Sequence, residues 1–243
     1  DGVPTLLSAD DVRTLFHEFG HGLHGLLSQV SYERLSGTHV LRDFVELPSQ
    51  LFEHWAFDPG VLERHARHAD TGEPIPHELV LRVRSARRFN QGFETVEYAA
   101  CALLDMALHA SEDPEGVDIA AFEAAALARI GMPREIVLRH RLPHFDHLFG
   151  GNGYAAGYYV YLWAEVLDAD GYEAFKEAGD PFDPHVAALL RRYVYASGNS
   201  LEPGIDCSGF VRAIYEQTAG LILPRKAEQQ AEKKQKIDRT ELQ

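Results

Sequence analysis

Residues 14–24 read TLFHEFGHGLH, and this stretch predicts a helix that carries a metal site. Residues four apart lie on the same face of a helix, so His17 and His21 can bind one ion. The spacing is the H-E-x-x-H pattern, in which both histidines bind zinc and the intervening glutamate, Glu18, acts as general base. Apolar residues recur here at intervals of three or four, the period of one buried helical face: Val12, Leu15, Phe16, Phe19, Leu23, Leu26 and Leu27.

The start of this helix is marked by Ser8, with Asp11 three residues later. Such a pair predicts a capping box, in which each side chain bonds to the backbone amide of the other residue. The H-E-x-x-H pattern itself arises by chance in roughly one chain in twenty of this length and composition. The pattern alone is therefore good evidence for a metal site, and a third ligand completes the prediction.

A catalytic zinc site has three protein ligands and one open position for water. Residues 42–50 read RDFVELPSQ and offer Glu46 as the third ligand. Pro48 favours a helix start here, because proline fits the first turn, where its missing N–H is not needed. We expect this second helix to cross the first at the metal and to bring Glu46 to His17 and His21. Its apolar positions continue at helical spacing: Leu47, Leu51, Phe52 and Trp55.

The chain contains the segments HEFGH at 17–21, SGTHV at 36–40, RDFVELPSQ at 42–50, FNQGF at 89–93 and YAAGYY at 154–159. These five segments resemble peptidase family M3, a family of zinc metallopeptidases with thimet oligopeptidase and peptidyl-dipeptidase branches. The resemblance extends to about residue 200, and the sequence around residues 42–44 is most similar to the peptidyl-dipeptidase (Dcp) branch.

The resemblance implies a mainly α-helical, zincin-type catalytic domain with little β structure. It implies one Zn²⁺ ion bound by His17, His21 and Glu46, with Glu18 taking a proton from the attacking water and delivering it to the leaving amine. The implied reaction is hydrolysis of short peptides with release of C-terminal dipeptides, and the alternative is an endo-acting oligopeptidase of the same family. Because members of the family are longer than this chain, an N-terminal part of a parent enzyme is expected to complete the substrate cleft.

Three tyrosines, Tyr154, Tyr158 and Tyr161, fall at spacings of four and three, which places them on one face of a predicted helix from about residue 155 to 168. Taken alone, such a stripe is more often part of a core or an interface than of an active site. The resemblance implies instead that Tyr154 and Tyr158 bind substrate and that Tyr161 donates a hydrogen bond to the developing oxyanion. His147 matches the substrate-contacting histidine of the family, although the six residues between it and Tyr154 are many for the family.

Charge and composition exclude several classes of partner. The net charge of −14 argues against nucleic acid, because phosphate binding needs clustered lysine and arginine. No stretch approaches the roughly eighteen apolar residues of a transmembrane helix. The two cysteines, Cys101 and Cys207, form no disulfide framework and indicate a reducing compartment. We therefore expect a cytoplasmic protein that has no membrane or nucleic-acid partner.

The composition changes near residue 203, which predicts two segments of different origin. Residues 1–203 contain all thirteen histidines and one lysine, whereas residues 204–243 contain four lysines and no histidine. We interpret the first segment as the metallopeptidase catalytic domain.

The second segment, residues 204–243, begins with GIDCSGF and is similar to the start of the NlpC/P60 cysteine peptidases, which cleave cell-wall peptides. This likeness implies that Cys207 is a nucleophile at a helix start. The histidine base of that family comes later in sequence, and residues 204–243 contain none, so we expect a truncated, inert segment of one or two helices. Two alternatives stay open: a cysteine peptidase that acts through Cys207, and a chimera without activity.

Overall fold

A computed structural model describes residues 6–112, 116–151 and 153–195 of the 243-residue chain. These residues form ten α-helices joined by turns, which confirms the predicted mainly helical fold. The helices are α1 (Ala9–Leu27), α2 (Arg42–Val45), α3 (Leu47–Ala56), α4 (Pro59–His65), α5 (His77–Ala86), α6 (Gln91–His109), α7 (Ile119–Arg129), α8 (Asp146–Phe149), α9 (Val160–Ala178) and α10 (Pro184–Leu190).

Within the described ranges, β structure is confined to one isolated antiparallel bridge between Arg67 and Pro74. The segment between α1 and α2 contains two 3₁₀ turns, Glu33–Leu35 and Gly37–His39. No helix in the described part of the chain combines the length and the apolar character needed to cross a membrane.

The capping box predicted for α1 is confirmed. The backbone amide and the hydroxyl of Ser8 both donate to Asp11 Oδ2, at 2.8 and 2.7 Å, and the amide of Asp11 donates to Ser8 Oγ at 3.1 Å. These bonds lower the pKa of the Asp11 carboxyl below its usual value. The cap therefore fixes the residue at which the metal-binding helix begins.

The helix that carries Tyr161 begins later than predicted. The sequence predicts a helix from about residue 155 to 168, but α9 begins at Val160 and continues through Gly171 to Ala178. Ala156 has a φ of 56°, in the left-handed region, and this conformation cannot continue an α-helix. Gly171 is tolerated because one helical glycine costs only about 1 kcal/mol relative to alanine.

The chain divides into two compact units. The first comprises residues 1–14 and 54–166, and one face of α6 forms the centre of its core. Its buried cluster consists of Ala100, Cys101, Ala102, Leu104, Leu138, Leu142, Phe145, Leu148 and Tyr158.

The second unit comprises residues 15–53 and 167–243, and its described part contains most of α1 and α3. Leu47 and Leu51 of α3 are fully buried, as the helical spacing predicts for the core face. The hydroxyl of Tyr195 donates to the carbonyl oxygen of Pro48 at 3.0 Å. This bond ties the start of α3 to the π-helical turn Arg191–Tyr195. The predicted boundary between residues 203 and 204 lies outside the described residues.

Candidate active site

Three potential metal ligands meet in the second unit, where His17 and His21 of α1 face Glu46. Glu46 Oε2 lies 3.3 Å from His17 Nε2 and 3.4 Å from His21 Nε2, and one ligand atom from each residue lies within 4.8 Å of the others. A tetrahedral ion about 2.1 Å from each ligand holds the ligand atoms about 3.4 Å apart. The donor set and its spacing therefore fit a single zinc ion.

Close packing of two helix backbones brings Glu46 to this position. A Cβ atom added to Gly20 of α1 would lie 2.6 Å from the Cα atom of Ser49 and 3.0 Å from the carbonyl oxygen of Pro48. Because Gly20 has no side chain, the start of α3 can approach α1 at the level of the two histidines. The glycine inside the HEFGH sequence is thus a packing requirement of the site.

Glu46 lies in the junction between α2 and α3, and its side chain is only 1% exposed. The hydroxyl of Ser49 donates to the backbone oxygen of Glu46 at 2.9 Å and lies 3.4 Å from Oε2 of its carboxylate. Burying a carboxylate is costly unless cations or hydrogen-bond donors surround it. A bound cation at the two imidazoles would supply that compensation.

One residue of this site, Glu53, was not predicted from the sequence. Its Oε1 atom lies 2.7 Å from Nδ1 of His17, the ring nitrogen that points away from Glu46. A carboxylate in this position fixes the tautomer and the ring orientation of a metal-binding histidine and makes the ring more basic. A signal for it was present, because Glu53 follows Glu46 by seven residues, or two helical turns. The Nδ1 atom of His21 is buried and has no hydrogen-bond partner in the described part of the chain.

The two carboxylates also change the protonation of the metal-free site. Burial by itself lowers the pKa of His17, but its hydrogen bonds to Glu46 and Glu53 outweigh burial and raise that pKa to about 9. Without a cation, His17 therefore keeps a proton at neutral pH. A metal ion must displace this proton in order to bind.

We predict that zinc binding releases a proton from His17 between pH 7 and pH 9. The apparent zinc affinity should rise by about tenfold per pH unit in this range and level off above pH 9, because only the neutral imidazole binds the metal. Calorimetric titrations at pH 7.5, in two buffers with different ionisation enthalpies, count the protons released per zinc. A count of zero would contradict the assignment of His17 as a protonated ligand.

Glu18 occupies the position between the two histidines on α1, and its side chain is exposed. An exposed carboxylate is accessible to water and to a bound peptide, as a general base must be. His24, one turn after His21, is buried, and neither of its ring nitrogens has a partner among the described residues. Burial, with the nearby His21, lowers the pKa of His24 to about 4, so this ring is neutral. His24 is not among the three clustered ligands.

In the first unit, the structure brings His147 and the predicted tyrosines into one aromatic cluster. The rings of Tyr154 and Tyr161 stack with centroids 5.6 Å apart and an interplanar angle of 9°. The His147 ring lies 6.0 Å from Tyr154 and 5.8 Å from Tyr161. Tyr154 and Tyr158 precede α9 in turns, so the shared helical face that we predicted is wrong, although the rings do meet.

Tyr158 differs from its two neighbours because it belongs to the core. Its side chain is 1% exposed and stacks on Tyr98 at a centroid distance of 5.1 Å. Burial, with the neighbouring Tyr98, raises the pKa of its phenol above the usual value. A core position is the alternative that the spacing of the three tyrosines also allows. In this position the ring of Tyr158 supports the half-buried rings of Tyr154 and Tyr161.

Only one of the two cysteines, Cys101, lies among the described residues. Cys101 is fully buried in α6, where burial raises the pKa of its thiol, as expected for an inert core residue. Cys207, the predicted nucleophile of the tail, lies outside the described residues, as do the tail helices that we expected.

Comparisons with known proteins give two family matches. A family model described as "Peptidase family M3" matches residues 1–207, and a model described as "NlpC/P60 family" matches residues 191–243. The chain is 48% identical over 205 residues to a dipeptidyl carboxypeptidase of Salmonella typhimurium and 51% identical over 201 residues to one of Escherichia coli. It is 39% identical over 208 residues to oligopeptidase A of Escherichia coli. These alignments cover 82–84% of this chain but only 29–30% of each relative's length.

Proposed function

This chain belongs to peptidase family M3, and we propose that residues 1–203 are the zinc-binding part of the catalytic domain of a longer peptidase. The observation that supports this most is that Glu46 Oε2 lies 3.3 Å and 3.4 Å from the imidazole nitrogens of His17 and His21, close to the ligand separation of a tetrahedral zinc ion. The chain covers only 29–30% of the length of these relatives. This coverage is compatible with a longer enzyme, whose N-terminal part would complete the substrate cleft.

Zinc, when bound, would lower the pKa of a coordinated water to about 7 and would polarise the scissile carbonyl. Glu18 takes a proton from the attacking water and passes it to the leaving amine. Glu53 holds the ring of His17 so that Nε2 faces the metal position, and buried Glu46 supplies the third ligand.

The aromatic cluster has the substrate roles in this proposal. We assign Tyr161 to hydrogen-bond donation to the oxyanion, and Tyr154 and His147 to binding of the peptide. The support is the family resemblance together with the contacts among the three rings. Tyr158 contributes through its neighbours, because its own ring is buried.

The substrates in this proposal are short peptides, from which the enzyme releases C-terminal dipeptides. The support is the higher identity to the dipeptidyl carboxypeptidases, at 48% and 51%, than to oligopeptidase A of Escherichia coli, at 39%. An endo-acting oligopeptidase is the second candidate, supported by the same family membership. We propose a cytoplasmic location, with no nucleic-acid partner.

The two substrate modes differ in their need for a free C-terminus. We expect the enzyme that contains this chain to shorten an unblocked octapeptide in steps of two residues. A matched peptide with a C-terminal amide should react at least tenfold more slowly, because one charge-assisted contact to the carboxylate is worth about 1.5–3 kcal/mol. Mass spectrometry of the products measures both outcomes. Equal cleavage of the amidated peptide at internal bonds would favour the endo-acting alternative.

The tail supports a further candidate, a cysteine peptidase, since residues 191–243 match the NlpC/P60 family. We propose instead that residues 204–243 have no cysteine-peptidase activity by themselves, because they contain no histidine to pair with Cys207.

The two chemistries respond to different inhibitors. We expect a zinc chelator to abolish peptide hydrolysis and added zinc to restore it, whereas a thiol reagent and the variant Cys207→Ala should leave the rate unchanged. Loss of hydrolysis in Cys207→Ala at full zinc content would make the cysteine-peptidase reading correct. A correctly folded, zinc-loaded enzyme that cleaves no peptide would favour the inactive chimera.

A further inference from the structure

Asp105 is a buried carboxylate in the middle of α6, with a side chain that is 0% exposed. Its Oδ1 atom accepts a hydrogen bond from the backbone amide of Ala156 at 2.9 Å and lies 2.8 Å from Nδ1 of His109. Its Oδ2 atom accepts from the backbone amide of Tyr158 at 2.9 Å. A buried charge needs such partners, and two of the three come from a segment about fifty residues away in the sequence.

The segment that Asp105 holds is the one that carries the tyrosines. Ala156 has a φ of 56°, a conformation that alanine rarely adopts and that persists only where the surroundings impose it. The carboxylate binds the amides on either side of Gly157, so it fixes the backbone at the unusual residue and again two residues later. The backbone of residues 156–158 is not held by a helix, because α9 begins only at Val160.

The hydrogen bonds of Asp105 determine where the rings of Tyr154 and Tyr161 lie. Tyr154 lies two residues before the anchored pair of amides and Tyr161 three residues after it, and their rings stack at 5.6 Å. We propose that Asp105 is a positioning residue, which holds this segment so that Tyr154 and Tyr161 present their phenol groups to the peptide substrate. His109 orients the carboxylate from the next turn of α6. The role toward substrate rests on the proposed peptidase function, whereas the anchoring rests on the geometry alone.

A matched buried acid in the same unit separates this role from ordinary structural support. Glu123 of α7 is 3% exposed and accepts from the amide of Leu142 at 2.7 Å and from Nε of Arg141 at 2.5 Å. Like Asp105, it fixes a loop backbone with a buried carboxylate. It has no bond to the tyrosine segment among those described, so its loss should affect the fold without affecting the tyrosines.

The anchoring is tested by amide hydrogen exchange on the zinc-loaded chain. The shape-conserving variant Asp105→Asn should exchange the Ala156 and Tyr158 amides about ten- to a hundredfold faster, because hydrogen bonds to a charged acceptor are the stronger kind. Glu123→Gln should leave these two amides unchanged. If Asp105→Asn does not fold, His109→Ala removes one partner of the carboxylate at a side chain that is 27% exposed, and several-fold faster exchange is expected. Unchanged exchange in the folded variant would overturn the proposal.

The substrate role is tested by turnover in the enzyme that contains this chain. We expect Asp105→Asn to raise KM by about tenfold and also to lower kcat, since small displacements of substrate-positioning groups carry large penalties. At temperatures at which it is folded, Glu123→Gln should have the same KM and kcat as the wild type. Faster exchange with normal KM and kcat would overturn the positioning role. A zinc-loaded wild type that cleaves no peptide would contradict the proposed function and the substrate role with it, while the exchange data would still decide the anchoring.

Discussion

Glu18→Gln should bind zinc normally and lose nearly all peptide hydrolysis. The amide has the size of the carboxylate but cannot accept a proton from the attacking water, and general acid–base assistance is worth about 10²–10⁴-fold in rate. The side chain is exposed, so the replacement leaves the packing of α1 intact. The measurement is kcat for a fluorogenic peptide at a zinc content confirmed by metal analysis.

A second carboxylate on the same helix provides the control for this prediction. Asp10 is an exposed residue in the first turn of α1, with a weak ion pair to Arg13 at 3.8 Å. Asp10→Asn removes the same charge from the same helix and should leave kcat unchanged. Near-normal kcat in zinc-loaded Glu18→Gln would show that another group is the base.

Gly20→Ala should weaken zinc binding by about ten- to a hundredfold, although it adds a single methyl group. The new Cβ atom would lie 2.6 Å from Ser49 Cα, so the start of α3 must move away by about 1 Å. Glu46 lies three residues before Ser49 and moves with it, away from the two imidazoles. Overpacking of this kind costs about 1–3 kcal/mol, which equals or exceeds the gain of about 1 kcal/mol from replacing a helical glycine by alanine.

Gly22 is the matched control, because it lies on the same helix and a Cβ atom there meets nothing within 4 Å. Gly22→Ala should keep the zinc affinity and raise the free energy of unfolding by up to about 1 kcal/mol. The two dissociation constants, measured against a competing chelator, give the comparison. Equal zinc affinity in Gly20→Ala and in the wild type would show that close helix packing does not position Glu46.

Local sequence predicted the cap of α1 and the apolar face of α3, but the buried apolar face predicted for α1 is wrong, because Leu15, Phe19 and Leu26 are more than half exposed. The capping box of Ser8 and Asp11 and the apolar spacing of α3 follow from contacts within a few residues, and both are present. The meeting of Glu46 with the histidines follows from the number of ligands that a catalytic zinc needs. The substrate roles of the tyrosines were predicted from the family resemblance and not from their spacing.

The remaining features depend on contacts that no local pattern shows. The left-handed conformation of Ala156 delays the start of α9, yet alanine is a strong helix former and gives no warning of it. Its cause includes the bond to Asp105, which is 51 residues away in the sequence. The burial of Tyr158 likewise depends on the aromatic side chains packed around it.

The central claim is that one zinc ion binds to His17, His21 and Glu46, and the most direct measurement is zinc-edge X-ray absorption or anomalous diffraction on the zinc-loaded chain. We predict one zinc per chain, with two imidazole nitrogens at about 2.0–2.1 Å and one carboxylate oxygen at about 2.0–2.2 Å. The variant Glu46→Gln should lose the carboxylate ligand and most of the affinity. A zinc bound through sulfur, or one whose coordination is the same in Glu46→Gln as in the wild type, would contradict the account.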